Sequence, residues 1–235
     1  MRALAVDCAA SRFAVALKDG QDVAKLVFDS TTSGKIKLSA KLLPAIDSVM
    51  KELALTPKDF EAVVVTAGPG SFTGLRVGLS ALKALTFAYG TPVYAVPTLD
   101  ALAYPYRNAI EIVIPVIESR RDKFFHAIFM RGQKVSSEDD LDVCQILAKV
   151  DSEADILVCG QAAPRFAELC LLHSPLRHVR FFAPENDATD SLFEIAEWMI
   201  ARGDPPLEES SGSLYCAQTV YTATKPQRPP CMSSS

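Results

Sequence analysis

The stretch AVVVTAGPGSFTGLR, residues 62–76, carries the reading of this chain. Ala62 to Thr66 is a short apolar run rich in valine, the composition of a fully buried strand. Three of the chain's eleven glycines follow, at 68, 70 and 74. Pro69 stiffens the turn between them, Gly70 permits positive φ, and Ser71 or Thr73 can cap a helix. The spacing predicts that helix over 74–89, stopped at Gly90, with a strand at 92–96. Strand, glycine turn, helix and strand form a βαβ passage, which implies a largely parallel sheet with covering helices.

Outward from this passage, residues 3–6 and 12–17 read as strands joined by the turn Asp7-Cys8-Ala9-Ala10-Ser11. Asp19-Gly20 signals a hairpin into a third strand at 22–28. A polar loop, Ser30 to Gly34, precedes a helix over 38–53 in which Leu42, Leu43, Ile46, Val49, Met50 and Leu53 recur at helical spacing. Pro44 is expected to kink it or mark its first turn. The second half resembles the first. DCAASRFAVALKDGQ (7–21) and ESRRDKFFHAIFMRGQ (118–133) each follow an apolar strand, begin with an acid, turn, and run through a second strand into Gly-Gln. A strand at 155–159 and helices at 161–172 and 189–202 fit a second copy. The expected organisation is an N-terminal unit over 1–103, a hinge near Pro97 to Tyr106, a C-terminal unit over 104–222 and a disordered tail over 223–235.

Gly68, Gly70 and Gly74 are spaced G-x-G-x-x-x-G, one residue longer than the dinucleotide fingerprint, and no Lys-Ser/Thr ending makes a P-loop. The helix start suits an anion, so an anion or nucleotide remnant at Asp7, Gly68, Gly70, Ser71 and Thr73 stays open. Spacing favours the other reading, in which the glycines let the helix pack tightly on its strand. That helix carries Gly74, Gly78, Ala81, Ala84 and Ala88, and Leu75, Val77, Leu79, Leu82, Leu85 and Phe87 spread around its other directions. A helix apolar nearly all round is buried on more than one side. This predicts a partner face on helices 38–53 and 74–89, with Leu42, Ile46, Val49, Met50, Gly74, Arg76, Gly78, Ala81, Leu82 and Leu85 as its candidate residues.

Bulk properties narrow the function class. The chain has 235 residues, 49% apolar and 22% charged, with net charge −4. That balance is globular, and it disfavours autonomous nucleic-acid binding, which needs a basic excess. The basic clusters at Arg120, Arg121 and Lys123, and at Arg177, His178 and Arg180, fit a share in a composite site at most. No run approaches a membrane span, and the N-terminus has no signal-peptide pattern. The six cysteines, at 8, 144, 159, 170, 216 and 231, contain no C-x-x-C pair, which points to free thiols in a reducing cytoplasm.

Residues 66–103, TAGPGSFTGLRVGLSALKALTFAYGTPVYAVPTLDALA, resemble the signature of the bacterial TsaB (YeaZ) family. LLPAI at 42–46, the first strand ending in Asp7, and ESRRDKFFHAIF in the second half match its pattern. The likeness is strong over about 1–130 and thin beyond. Two departures stand out: Leu38-Ser39 replaces the family's His-Ser before the LLP helix, and Asp-Cys-Ala-Ala-Ser replaces Asp-Thr-Ser.

The resemblance implies an α/β, actin-like/Hsp70-like ATPase (ASKHA) fold with two duplicated halves of mixed five-stranded sheets. It implies a non-catalytic, pseudo-enzyme subunit that supports the catalytic paralogue TsaD, with the ATPase TsaE. The complex moves a threonylcarbamoyl group onto the adenosine beside the anticodon of tRNAs reading A-starting codons. It also implies a homodimer through the same N-terminal helices, tRNA contact only within the complex, and ATP used by the complex at a subunit interface. No cofactor of this chain's own is expected. The chain has no Gly-Gly pair for a nucleotide, and His126, His173 and His178 are not spaced as metal ligands. Asp7 is the residue nearest to a catalytic candidate, read either as a metal and phosphate acid or as a turn carboxylate accepting backbone N–H bonds. Arg76, Glu118, Arg120 and Arg121 are read as partner or cleft contributors, or as surface. The rival function is an ATP-dependent phosphotransferase or hydrolase of the same fold; a protease finds no supporting spacing.

Overall fold

The first strand, β1 (Arg2–Asp7), sets the architecture because its alternate residues differ in size. Leu4 and Val6 point to one face, Ala3 and Ala5 to the other, and all four are fully buried. The computed structural model describes residues 1–10, 12–29, 38–151, 153–173, 179–183 and 187–208. The loop read at 30–34, Arg177, His178, Cys216, Cys231 and the tail 223–235 lie outside them.

β2 (Arg12–Asp19) pairs antiparallel with β1, and β3 (Asp22–Asp29) antiparallel with β2. On the other side of β1, β4 (Ala62–Thr66) runs parallel, followed by β5 (Val93–Val96), giving the order β3-β2-β1-β4-β5. The large-residue face is covered by α1 (Leu38–Glu52) and α2 (Phe72–Tyr89). α1 continues through Pro44 as one helix. α2 starts two residues before the expected Gly74, because Ser71 Oγ accepts from Gly74 N (3.2 Å) and caps the turn. It ends on Gly90 in the left-handed conformation (φ 75°), as the sequence predicts.

The second half is built from β6 (Ile112–Glu118), β7 (Lys123–His126), β8 (Phe129–Met130), β9 (Gln133–Lys134), β10 (Asp139–Asp142), β11 (Ile156–Cys159) and β12 (Val179–Phe182). Its path, β10-β7-β6-β11-β12, repeats that of the first sheet: a central strand with an antiparallel partner on one side and a parallel one on the other. α4 (Val143–Leu147) and α5 (Ala163–His173) cover one face. The chain therefore has the duplicated actin-like fold. The second sheet departs from five strands: its second strand breaks after His126, and β8 pairs separately with the start of β6 and with β9, making seven.

Two helices exchange between the halves. α3 (Thr98–Ala103), at the expected hinge, buries Leu99 and Ala103 against Val113, Phe129, Leu157 and Cys159 of the second sheet. α6 (Thr189–Arg202) was read from chain order as part of the second copy. It instead covers the first sheet, setting Leu192, Phe193, Ala196 and Met199 on Ala3, Ala5, Ala16, Ala62 and Val64. The alanine face is the reason: small side chains leave room for a helix at close range, and the helix brings the bulk the sheet lacks. Ion pairs Lys18–Glu197 (2.9 Å) and Lys25–Asp190 (2.9 Å) tie α6 to β2 and β3. The Lys134 ammonium bridges Asp100 of α3 (2.8 Å) and Glu138 (2.6 Å). Cys8, Cys159 and Cys170 are buried and Cys144 is exposed, and none of the four is in a disulfide.

Candidate functional site

The glycine turn packs backbone on backbone. A Cβ at Gly70 or Gly74 would run into the carbonyl oxygen of Ala9 or Cys8, and one at Gly78 into the sulfur of Cys8. The three glycines thus let α2 lie directly on the turn that follows β1. Three amides of the turn and the helix start have partners within the chain. Ser71 N donates to Ala9 O (2.6 Å), Gly68 N to Thr98 Oγ1 (3.1 Å) and Gly74 N to Ser71 Oγ (3.2 Å). Cys8 N donates to Thr66 Oγ1 (3.2 Å), which locks the facing turn. The backbone at Gly68, Gly70 and Ser71 is thus placed by the packing of the turn, and Thr73 is exposed in the first turn of α2. Thr66 and Thr98, both buried, hold the turn and were not singled out by the sequence. Thr98 lies thirty residues from Gly68, and no local signal connects them.

Asp7 is buried, 5% exposed, at the C-terminal end of β1. One carboxylate oxygen accepts from Ala9 N (3.3 Å), the other from Ala188 N (3.1 Å) at the start of α6. These are the contacts of a turn carboxylate, extended to a helix start from the far end of the chain. Burial pushes its pKa above the ordinary carboxylate value; the N–H groups of Ala188 and Ala9 oppose that, and the neighbouring Asp187 adds to it. Asp187 accepts from Thr189 N (2.8 Å) and pairs with Lys25 (3.7 Å). Burial pushes the Cys8 thiol up to about 12. Among the described residues no group of three or more His, Cys, Asp or Glu side chains could hold a metal ion.

On the two helices, the structure separates the predicted interface residues. Leu42, Ile46, Val49 and Leu82 are within 2% of full burial and belong to the core beneath the helices. Gly74 and Gly78 face Cys8. Met50, Ala81 and Leu85 are half-buried against the same core. The burial of Leu42, Ile46, Val49 and Leu82 has a simple cause: the i, i+3, i+4 apolar set on each helix is the set its own sheet requires. Only Arg76 is exposed, its guanidinium stacked 4.4 Å over the Phe72 ring. The outward surface is made of other residues. Leu43 (59% exposed), Phe72 (48%) and Phe87 (86%) stand out from it. Ser39, Leu42, Leu43, Arg76, Val77, Ser80 and Ala81 line an open groove of about 330 Å³ between α1 and α2.

The second-half turn is surface. Glu118, Arg120 and Arg121 are exposed, Arg121 and Asp122 take positive φ, and Arg120 lies 4.0 Å from Asp140. His126 is fully buried on β7, its Nδ1 3.1 Å from Asp139 O and its Nε2 unpartnered. Burial, then the nearby Lys149, lowers its pKa below the ordinary imidazole value.

A duplicated actin-like scaffold with a tightly packed glycine turn and an apolar groove between two N-terminal helices is the class this chain presents. A sequence model of the family described as "TsaD: tRNA N6-adenosine threonylcarbamoyltransferase" matches residues 33–169, more than half of the chain. The tRNA threonylcarbamoyladenosine biosynthesis protein TsaB of Bacillus subtilis is 29% identical over 129 residues, 55% of each chain. The protein of the same name from Buchnera aphidicola is 30% identical over 79 residues, 34% of this chain and 38% of its own. The chain spans about half the length, or less, of these curated relatives. A solved structure of YeaZ from Pseudomonas aeruginosa shares the fold, with a TM-score of 0.71, 24% identity, and coverage of 89% of this chain and 96% of that one. The chain belongs to the family of that model, and it is similar to the TsaB (YeaZ) proteins.

Proposed function

We propose that this protein is a non-catalytic scaffolding subunit in tRNA threonylcarbamoyladenosine biosynthesis, docking a TsaD-type catalytic paralogue through the outer face of α1 and α2. The observation that carries it is the groove bounded by Leu43 and Arg76, with exposed Phe72 and Phe87 on the same helix. Apolar side chains grouped around a groove on a rigid helix pair fit a protein partner better than a small substrate. The same face serves a homodimer, so the two assemblies exclude one another. TsaE and tRNA join through the complex in the cytoplasm, and ATP is used there. The rival, an ATP-dependent phosphotransferase or hydrolase, needs free amides at the glycine turn and an available Asp7. Here Gly68 N, Ser71 N and Gly74 N, and both Asp7 oxygens, have partners within the chain.

Light scattering after size exclusion tests the reading, on the chain alone and mixed with the TsaD paralogue of the same cell. Leu43→Arg replaces an exposed groove residue and should leave folding unchanged while weakening association at least about tenfold, the loss of one apolar anchor of about 1.5 kcal/mol or more. Unchanged association would move the docking face elsewhere. A wild-type chain that stays monomeric and partnerless, yet gains thermal stability with ATP, would favour the enzyme reading.

A further inference from the structure

His126 lies on β7, two residues from Phe124 and on the same face of the second sheet. Phe124 packs there with Val143, Ile146 and Leu147 of α4 and with Phe166 of α5. The Nδ1 atom of His126 faces Asp139 O at 3.1 Å, and a carbonyl oxygen only accepts, so Nδ1 carries the hydrogen and Nε2 the lone pair. Among the described residues nothing hydrogen-bonds Nε2, and the side chain is fully buried. A proton added at Nε2 would make a buried cation with an unpartnered N–H, which is far costlier than a neutral ring. The surroundings do not neutralise it. β10 brings the Asp139 carboxylate, but Lys149 (3.1 Å) and Ser137 (3.1 Å) already hold that group. The Lys149 ammonium, just past α4, adds a second positive charge. α4 carries no charged side chain, and β6 sets Val116 opposite His126. α5 turns Phe166, Leu169 and Cys170 inward, while its Arg165 pairs with Asp122 and Glu168 at the surface. Burial, then Lys149, therefore lowers the His126 pKa, and the carbonyls of Asp139 and Phe124 and the Asp139 carboxylate only partly offset this.

The segment that closes over this ring is lightly attached. β10 is the end strand of its sheet, pairs with β7 over four residues, and is only half-buried along its length. α4 follows it directly and is five residues long. The Asp142–Gln145 capping box lies inside the segment and would travel with it. We infer that Asp139–Lys149, β10 together with α4, is a flap that opens when His126 takes up a proton from solvent at Nε2, while the first half of the molecule stays closed. Opening lets the imidazolium reach water and uncovers Phe124, Val143, Ile146 and Leu147. The first sheet has no such trigger, because the chain's three histidines, 126, 173 and 178, all lie in the second half. The neutral ring holds the flap shut above the ordinary imidazole value of about 6.5, and the hold weakens as pH falls from there towards the lower folded value.

Hydrogen–deuterium exchange of the full chain tests this, at about pH 7.5 and about pH 5.5, corrected for the pH dependence of the chemical exchange rate. The peptide over 139–149 should lose protection about tenfold at the lower pH, the effect of one proton taken up on opening. Peptides over 62–89 should keep theirs. His126→Asn retains an amide that can donate to Asp139 O but does not titrate in this range, so its 139–149 protection should stay constant. Unchanged protection of 139–149 in the wild type overturns the inference. So does an equal loss in His126→Asn, which assigns the trigger to another group, and so does an equal loss over 62–89, which means the whole molecule is opening. Should His126→Asn fail to fold, the wild type alone decides by NMR. The His126 ring resonance must then titrate over the same pH range in which 139–149 loses protection, and a mismatch between the two overturns the inference.

Discussion

Replacing Gly78 with alanine should destabilise the protein, although alanine is the better helix former. In an exposed helix interior the exchange gains about 1 kcal/mol. Here the new methyl would overlap the sulfur of Cys8, which is buried and closed in by α2. Overpacking of this kind costs typically about 1–3 kcal/mol, so Gly78→Ala should lower stability by up to about 2 kcal/mol net. The sulfur alone is the obstacle: the distance from the added Cβ to Cys8 Cβ is 3.6 Å, an ordinary contact. In a Cys8→Ala background the same substitution should therefore stabilise, by up to about 1 kcal/mol. The two effects have opposite sign and give a coupling of about 1–3 kcal/mol in a double-mutant cycle. Urea unfolding of the four proteins measures it, a 1–2 kcal/mol change moving the midpoint by about half a molar when m is about 3 kcal/mol/M. Gly78→Ala changing stability in the same direction in both backgrounds would refute the claim that the glycine exists for this close approach.

Two pH predictions have opposite signs. Asp7 has its folded pKa raised above the ordinary carboxylate value by burial, so its contribution is fully present below that value and is lost as pH rises through the folded pKa. Asp7→Asn should flatten the fall in unfolding free energy on the alkaline side of pH 4, and urea midpoints that keep their slope there would contradict the assignment. His126 has its folded pKa lowered by burial. Its neutral form stabilises the fold above about pH 6.5, and that contribution drains as pH falls through the folded pKa, at up to about 1.4 kcal/mol per pH unit. His126→Phe should remove this acid limb, and a variant that unfolds along the wild-type pH profile would show that another group carries it.

Much of the fold was legible because it is written locally. The strands at 2–7, 12–19, 22–29 and 62–66 and the helices at 38–52, 72–89 and 189–202 follow from period-two and helical apolar spacing with glycine stops. Duplication was legible in the paired turns at Asp7 and Glu118, whose strands occupy matching places in the two sheets. The glycine motif marked the turn on which α2 packs. What sequence could not decide was direction. Periodicity says that Leu42, Ile46, Val49 and Leu82 must be buried, but not whether a sheet of this chain or a partner buries them. Tertiary packing answered that in favour of the chain's own core and left Leu43, Phe72, Arg76 and Phe87 as the outer surface. The same holds for Asp7, whose second partner is Ala188, 181 residues away. It holds too for α6, which crosses to the first sheet because Ala3, Ala5 and Ala16 leave a shallow face there. A sequence states which side chains must leave water; only the assembled backbone decides against what, since burial energy is non-directional and close packing is not.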